Sequence, residues 1–153
     1  EVGYKLAGDA RRERDAKKKA ELKKKAEESD KKVQALLAKQ RHLDSLAIVD
    51  YKKSIEVNPD QYDVAFNLGA IYYNGTIPLV ELANNLPADA NYDKNYEKLK
   101  GEWTQLFEQA LIWFLKAEEL NGEDDTLLMS IQQTYAQLGN QEKSMEYKAK
   151  REK

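Results

Sequence analysis

The sequence has no cysteine and only one histidine, His42, among its 153 residues. The lack of cysteine excludes disulfide bonds, thiol chemistry and cysteine-ligated zinc, and a single imidazole offers no basis for a histidine metal centre. Three prolines and seven glycines are too few for a disordered or collagen-like chain. No run of about 18 apolar residues occurs, so we expect no membrane-spanning segment. Hydrophobic residues make up 41% of the chain and charged residues 34%, which suits a core beneath a strongly polar surface.

Charge is spread unevenly along the chain. Residues 9–32 contain eleven basic and seven acidic residues, a net of +4, while the other residues contain fourteen basic and twenty acidic, a net of −6. Within the basic segment, glutamates precede lysines by four residues, as in Glu21 and Lys25. Such pairs support a solvated helix. Because acids are interleaved with the bases, the segment makes a poor nucleic-acid footprint, and we expect no nucleic-acid partner.

An internal repeat relates two stretches of the chain at an offset of 63 residues. Residues 47–58 and 110–121 share an alanine, an aromatic residue, a lysine and a closing asparagine at matching positions. The same offset places Leu68 on Ile131 and Tyr72 on Tyr135. A fixed period of this kind is the signature of repeat architectures.

The apolar pattern within each unit is helical. Spacings of three and four residues alternate through Tyr96, Leu99, Trp103, Leu106, Ala110, Trp113, Ala117 and Leu120. This pattern predicts a long helix that packs along another helix. The preceding unit has the same pattern in Val33, Leu36, Leu43, Ala47, Tyr51 and Ile55. No stretch shows the period-two alternation of strands, so the fold class predicted is all-α.

Three segments resemble the tetratricopeptide repeat family. Residues 67–72, Asn-Leu-Gly-x2-Tyr, look like the first helix of such a repeat, and Ala110, Phe114 and Ala117 resemble its second helix. Residues 126–150 are similar to a third, degenerate pair of helices. The resemblance implies one array of stacked antiparallel helical hairpins over residues 1–153, forming a superhelix. Its expected parts are a first long hairpin at 1–60 that is incomplete at its start, a second at 61–122, and a degenerate pair at 123–153.

The repeat departs from the family in length, since an ordinary unit has about 34 residues. The extra residues lie between the two helices of each hairpin, at 74–92 and 10–32. We therefore expect elongated hairpins with tips at 86–89 and near 27–30. One unbroken helix over 10–57 is the alternative for the first unit. Long hairpins of this kind resemble those of bacterial, often exported, repeat proteins, a resemblance that slightly favours the periplasm over the cytoplasm.

The sequence offers little for catalysis. It has no glycine-rich phosphate loop, nucleophile elbow or metal-ligand spacing, and its many carboxylates lie on polar helix faces. We therefore expect a protein that is not an enzyme and that has no metal site and no cofactor.

The family resemblance implies a protein-interaction module. First helices of these repeats line a concave groove that takes an extended peptide or a partner helix. Carried onto this sequence, the partner-binding positions are Asp63, Phe66, Asn67, Ala70, Tyr73, Met129 and Gln133. The groove and the core are competing locations for Phe66 and Tyr73, because aromatic residues at helical spacing also fill cores. The sequence does not identify the protein or peptide partner.

A second functional class remains open. The protein could instead be structural and similar to a coiled coil, with the basic segment as a projecting arm that mediates assembly or contacts an anionic surface. Salt dependence separates the two classes, because association through the charged arm weakens as ionic strength rises.

Overall fold

The computed structural model describes residues 2–122 and 124–152. Within these residues it contains six helices and no strand: α1 (Val2–Val57), α2 (Tyr62–Asn74), α3 (Ile77–Asn84), α4 (Tyr92–Leu120), α5 (Asp125–Gln137) and α6 (Gln141–Arg151). The all-α prediction is confirmed. The chain divides into two compact units, at residues 1–43 and 44–153.

The predicted first hairpin is wrong, because α1 is a single helix of 56 residues. The unbroken helix, which the sequence left open as the alternative, is what forms. The turn predicted near residues 27–30 does not occur. No glycine or proline lies between residues 9 and 58, and two glutamate–lysine pairs support the helix just before the expected turn. Lys25 Nζ lies 2.7 Å from Glu21 Oε1, and Lys23 Nζ lies 3.9 Å from Glu27 Oε1.

In the second repeat unit, helices α2 and α3 are followed by α4, and the loop between α3 and α4 contains residues 86–89. Helix α4 contacts α2 and α3 in turn. Phe66 of α2 packs against Phe114, and Tyr73 against Phe107. Further along the chain, Leu79 and Ala83 of α3 share a buried cluster with Leu99. Residue numbers that increase along α2 and α3 are thus paired with residue numbers that decrease along α4. Helix α4 therefore runs antiparallel to α2 and α3.

The 63-residue repeat reappears in the helix boundaries of residues 44–153. Helix α2 shifted by 63 residues coincides with α5, and the end of α1 at Val57 shifts onto the end of α4 at Leu120. Leu68 and Ile131, which the offset relates, are both fully buried. These two equivalent positions of the 63-residue repeat thus have the same structural role.

The main core lies where α2, α4, α5 and α6 meet. Its buried members are Ala65, Ala110, Phe114, Ala117, Leu127, Leu128, Ile131 and Tyr147. Small residues dominate on α2 and α4, which lets these helices approach closely. The two helices approach closely at Gly69, where an added Cβ would lie 2.6 Å from Cε1 of Phe114.

Helix α6 closes the core through polar contacts to α4 and α5. The Tyr147 hydroxyl donates to Glu118 at 2.5 Å, and Lys150 donates to the same carboxylate at 3.0 Å. Arg151 donates to both carboxylate oxygens of Asp125, at 2.7 and 3.2 Å. The turn before α6 needs Gly139, whose φ of 77° lies in the left-handed region that favours glycine.

Of the apolar residues predicted to pack in the first repeat unit, only those near the C-terminal end of α1 are covered by other residues. Ala47, Tyr51 and Ile55 are half-buried, and Ile55 packs against the main core. Val33 and Leu36 are 49% and 66% exposed. The exposure follows from the continuity of α1, because the second arm that was expected to cover these residues does not exist.

The contact between Gly69 and Phe114 generates a stability prediction with an internal control. Gly69→Ala should lower the free energy of unfolding by about 1–3 kcal/mol, because the new methyl group collides with a ring that is 2% exposed in a packed core. Gly101 also lies within a helix, but an added Cβ there meets nothing within 4 Å. Gly101→Ala should therefore stabilise the protein by about 0.5–1 kcal/mol through helix propensity. Urea denaturation of the two variants measures both effects, and equal stabilities would contradict this packing.

Candidate functional site: a cleft between α2 and α5

Helices α2 and α5 are related by the 63-residue repeat, and Tyr62 at the start of α2 lies near Asp124 at the start of α5. The Asp124 side chain caps α5 by accepting from the Leu127 N–H at 2.8 Å. Burial, and next the negative charge of this carboxylate, raise the pKa of Tyr62 at the start of α2. Tyr62 in turn stacks on Phe66, with ring centroids 6.1 Å apart. Asp124 thus caps the N-terminus of α5 and lies close to the start of α2.

A cleft of about 190 Å³ lies between these helices. Its lining comes from three helices: Ala70, Tyr73 and Asn74 of α2, Phe114 of α4, and Ser130 and Gln133 of α5. We call it the α2–α5 cleft. Phe114 offers an apolar surface, while the exposed Asn74 and Gln133 carry amide groups that both donate and accept hydrogen bonds.

The two aromatic residues predicted for the groove are half-buried and contact the helix beneath. Phe66 lies 5.8 Å from Phe114 between ring centroids, and Tyr73 meets Phe107 edge-on at 5.3 Å. Burial raises the pKa of Tyr73. Only Tyr73 also lines the cleft. Both rings therefore contact the core, and Tyr73 is the one of the two that also faces the cleft.

Of the seven predicted partner-binding residues, the structure brings Ala70, Tyr73 and Gln133 together in the cleft. The other four lie outside its lining. Asp63 and Asn67 are exposed on α2 and Met129 is half-buried on α5, while Phe66 packs against Phe114.

Ser130 and Phe114 also line the cleft, but neither belonged to the predicted set. The repeat contains a signal for Ser130, because the 63-residue offset relates it to Asn67, which was predicted. Its hydroxyl donates to the Thr126 carbonyl at 2.8 Å. The sequence predicted a packing role for Phe114. In the structure Phe114 both packs in the core and lines the cleft, because it lies between α2 and α5.

The cleft is suited to binding polar and apolar groups rather than metal ions. Across residues 2–122 and 124–152 no group of three histidine, aspartate or glutamate side chains could hold a metal ion. In the same part of the chain, every buried side-chain nitrogen or oxygen has a hydrogen-bond partner. None of the helices described above is long and apolar enough to cross a membrane.

Comparison of the sequence with models of known families and with curated proteins finds no match. Function is therefore inferred from the residues of the cleft and from the surfaces of the helices.

The contact between Tyr62 and Asp124 predicts how stability depends on alkaline pH. Burial, and next the negative charge of Asp124, raise the pKa of Tyr62 to about 12. The neutral phenol is therefore favoured by folding, and its stabilising contribution is present below pH ~10, the ordinary tyrosine pKa. That contribution is lost as the pH rises towards 12. Urea denaturation at a series of pH values between these limits should show a smaller loss of stability for Tyr62→Phe than for the parent.

Asp124→Asn provides the matched control for this prediction. The amide oxygen can still cap α5, while the charge that opposes ionisation of Tyr62 is removed. This variant should also lose less stability than the parent at high pH. If both variants lose as much stability as the parent, the contact between Tyr62 and Asp124 does not raise the tyrosine pKa.

Proposed function

We propose that the chain is a non-enzymatic protein-interaction module of the tetratricopeptide type, which binds a peptide or partner helix along the α2–α5 cleft. The observation that carries this proposal is the convergence of Ala70, Tyr73 and Gln133, which come from two helices that are 63 residues apart in the sequence. The family resemblance implied that these residues share one face, and in the structure they line one cleft.

The composition of the cleft supports a peptide ligand. An extended peptide presents an N–H and a carbonyl at each residue, and the amides of Asn74 and Gln133 can pair with both. The ring of Phe114 and the methyl group of Ala70 offer apolar contact for one side chain between them. A volume of about 190 Å³ is below the roughly 300–1,000 Å³ of small-molecule pockets, so the cleft suits one anchoring side chain of a longer ligand.

The experiment selects peptides of random sequence, displayed on phage, against the parent protein and measures their affinities for variants by fluorescence anisotropy. Gln133→Ala should weaken selected peptides by more than about fivefold, which corresponds to more than about 1 kcal/mol. Gln105→Ala is the control, since Gln105 is also an exposed helical glutamine but lies outside the cleft lining. Peptides that bind both variants as tightly as they bind the parent would place the binding site elsewhere.

The basic segment supplies a second control. Changing Lys23, Lys24 and Lys25 to glutamate should leave peptide binding within about twofold at physiological salt, where exposed charges are screened beyond roughly 8 Å. If this reversal abolishes binding while Gln133→Ala has no effect, the function belongs to α1 and not to the cleft.

One observation favours the second functional class, assembly through α1. Val33 and Leu36 are large apolar side chains exposed to solvent on a helix whose other exposed positions are mostly charged. An assembly role can coexist with peptide binding, because the residues involved do not overlap.

A further inference from the structure

An exposed stripe follows one side of α1. It consists of Leu22, Ser29, Val33, Leu36, Gln40 and Leu43, which we call the α1 stripe. Its four apolar members are between 49% and 66% exposed, and Ser29 and Gln40 are exposed as well. Scattered exposed leucines are normal, but a row of them along one helix face indicates a surface that packs against a partner.

The spacing of the stripe is that of a coiled coil. Leu22, Ser29, Leu36 and Leu43 recur every seven residues, while Val33 and Gln40 precede two of them by three residues. In heptad terms the first set occupies d positions and the second set a positions. Val33 at a with Leu36 at d matches the pattern that favours two strands in a parallel coiled coil. The stripe extends over about three heptads, or roughly 33 Å of helix, and matches a partner helix of similar length.

The polar members of the stripe indicate which helix the partner is. A side-chain amide or hydroxyl that becomes buried must find a hydrogen bond, or it costs about 1–3 kcal/mol. In a parallel pair in register, each residue faces its own counterpart, so Gln40 meets the Gln40 of the second copy and Ser29 meets Ser29. The two side chains of each polar pair can then hydrogen-bond to each other. Val33 and Leu36 each pack against the same residue of the second copy.

Charges beside the stripe match the same arrangement. Lys39 occupies a g position and Asp44 the following e position, and these two positions face each other across a parallel pair. The remaining charge opposes pairing, because residues 22–43 contain seven basic and three acidic residues, a net of +4. Added salt screens this repulsion, so pairing should strengthen with ionic strength. Binding of the same segment to an anionic surface would weaken.

We infer that the chain forms a homodimer in which the α1 stripes of two copies pair as a parallel two-stranded coiled coil in register. The apolar layers supply the attraction, and Gln40 sets the register. The pairing presents two peptide-binding units in one assembly.

Two valines of α1 with nearly equal exposure provide a matched test. Val33 is 49% exposed and lies on the stripe, whereas Val49 is 48% exposed and lies about 160° around the helix. The full chain is examined by sedimentation equilibrium up to about 200 µM, a range that detects the micromolar affinity expected of a short coiled coil. The parent should dimerise, Val33→Gln should weaken dimerisation by at least about tenfold, and Val49→Gln should change it by less than about twofold.

Salt and a cysteine probe complete the test. Dimerisation of the parent should become stronger from about 50 mM to about 500 mM NaCl. Because the chain has no cysteine, Gln40→Cys can form a disulfide only between copies, and an in-register parallel pair should form it rapidly on oxidation, unlike Val49→Cys.

Three results would overturn the inference. They are a parent that stays monomeric over the whole concentration range, a dimer that Val33→Gln leaves intact, and a dimer that dissociates as salt is added. A dimer in which Gln40→Cys does not cross-link would overturn the parallel register. None of these results bears on the cleft, since peptide binding is tested by Gln133→Ala.

Discussion

The packing of Phe114 against Gly69 is the contact on which the rest of residues 44–153 depends. The ring occupies the space that a side chain on α2 would need, so α2 and α4 can approach only because residue 69 is glycine. Phe114 then reaches Phe66 on one side and lines the α2–α5 cleft on another. A single buried ring therefore couples the stability of the hairpin to the shape of the proposed binding surface.

Around this contact, polar groups act mainly at the ends of helices. Asp124 caps α5 and lies near Tyr62, while Glu118 and Asp125 hold α6 through Tyr147, Lys150 and Arg151. Exposed ion pairs contribute little individually, and the apolar core provides most of the stabilisation. The polar contacts instead determine where each helix begins and which neighbour it faces, and this keeps the two walls of the cleft in place.

Helices α4 and α1 each have an apolar face, but the two faces differ in how far they are buried. The stripe of α4 is covered by α2 and α3, with Leu99, Ala110 and Ala117 buried. The stripe of α1 has the same spacing, yet Leu36 and Leu43 remain exposed. Spacing alone shows that a helix face can pack against a helix, but it does not show whether the partner lies in the same chain. This difference underlies the proposal of two functions on separate surfaces, peptide binding on one and self-association on the other.

The all-α class was determined by the sequence itself, because helical periodicity acts over a few neighbouring positions. The 63-residue repeat could also be read from the sequence, because matching residues recur at one fixed offset. The membership of the cleft was partly predictable, as Ala70, Tyr73 and Gln133 show, since repeated positions share a face. Only the tertiary structure decided that Phe114 reaches the cleft and that Phe66 turns towards the core, because both depend on how closely α2, α4 and α5 approach. It also decided that α1 is one helix. Because no glycine or proline lies near residue 30, the continuous hydrogen-bonded helix is the more stable state.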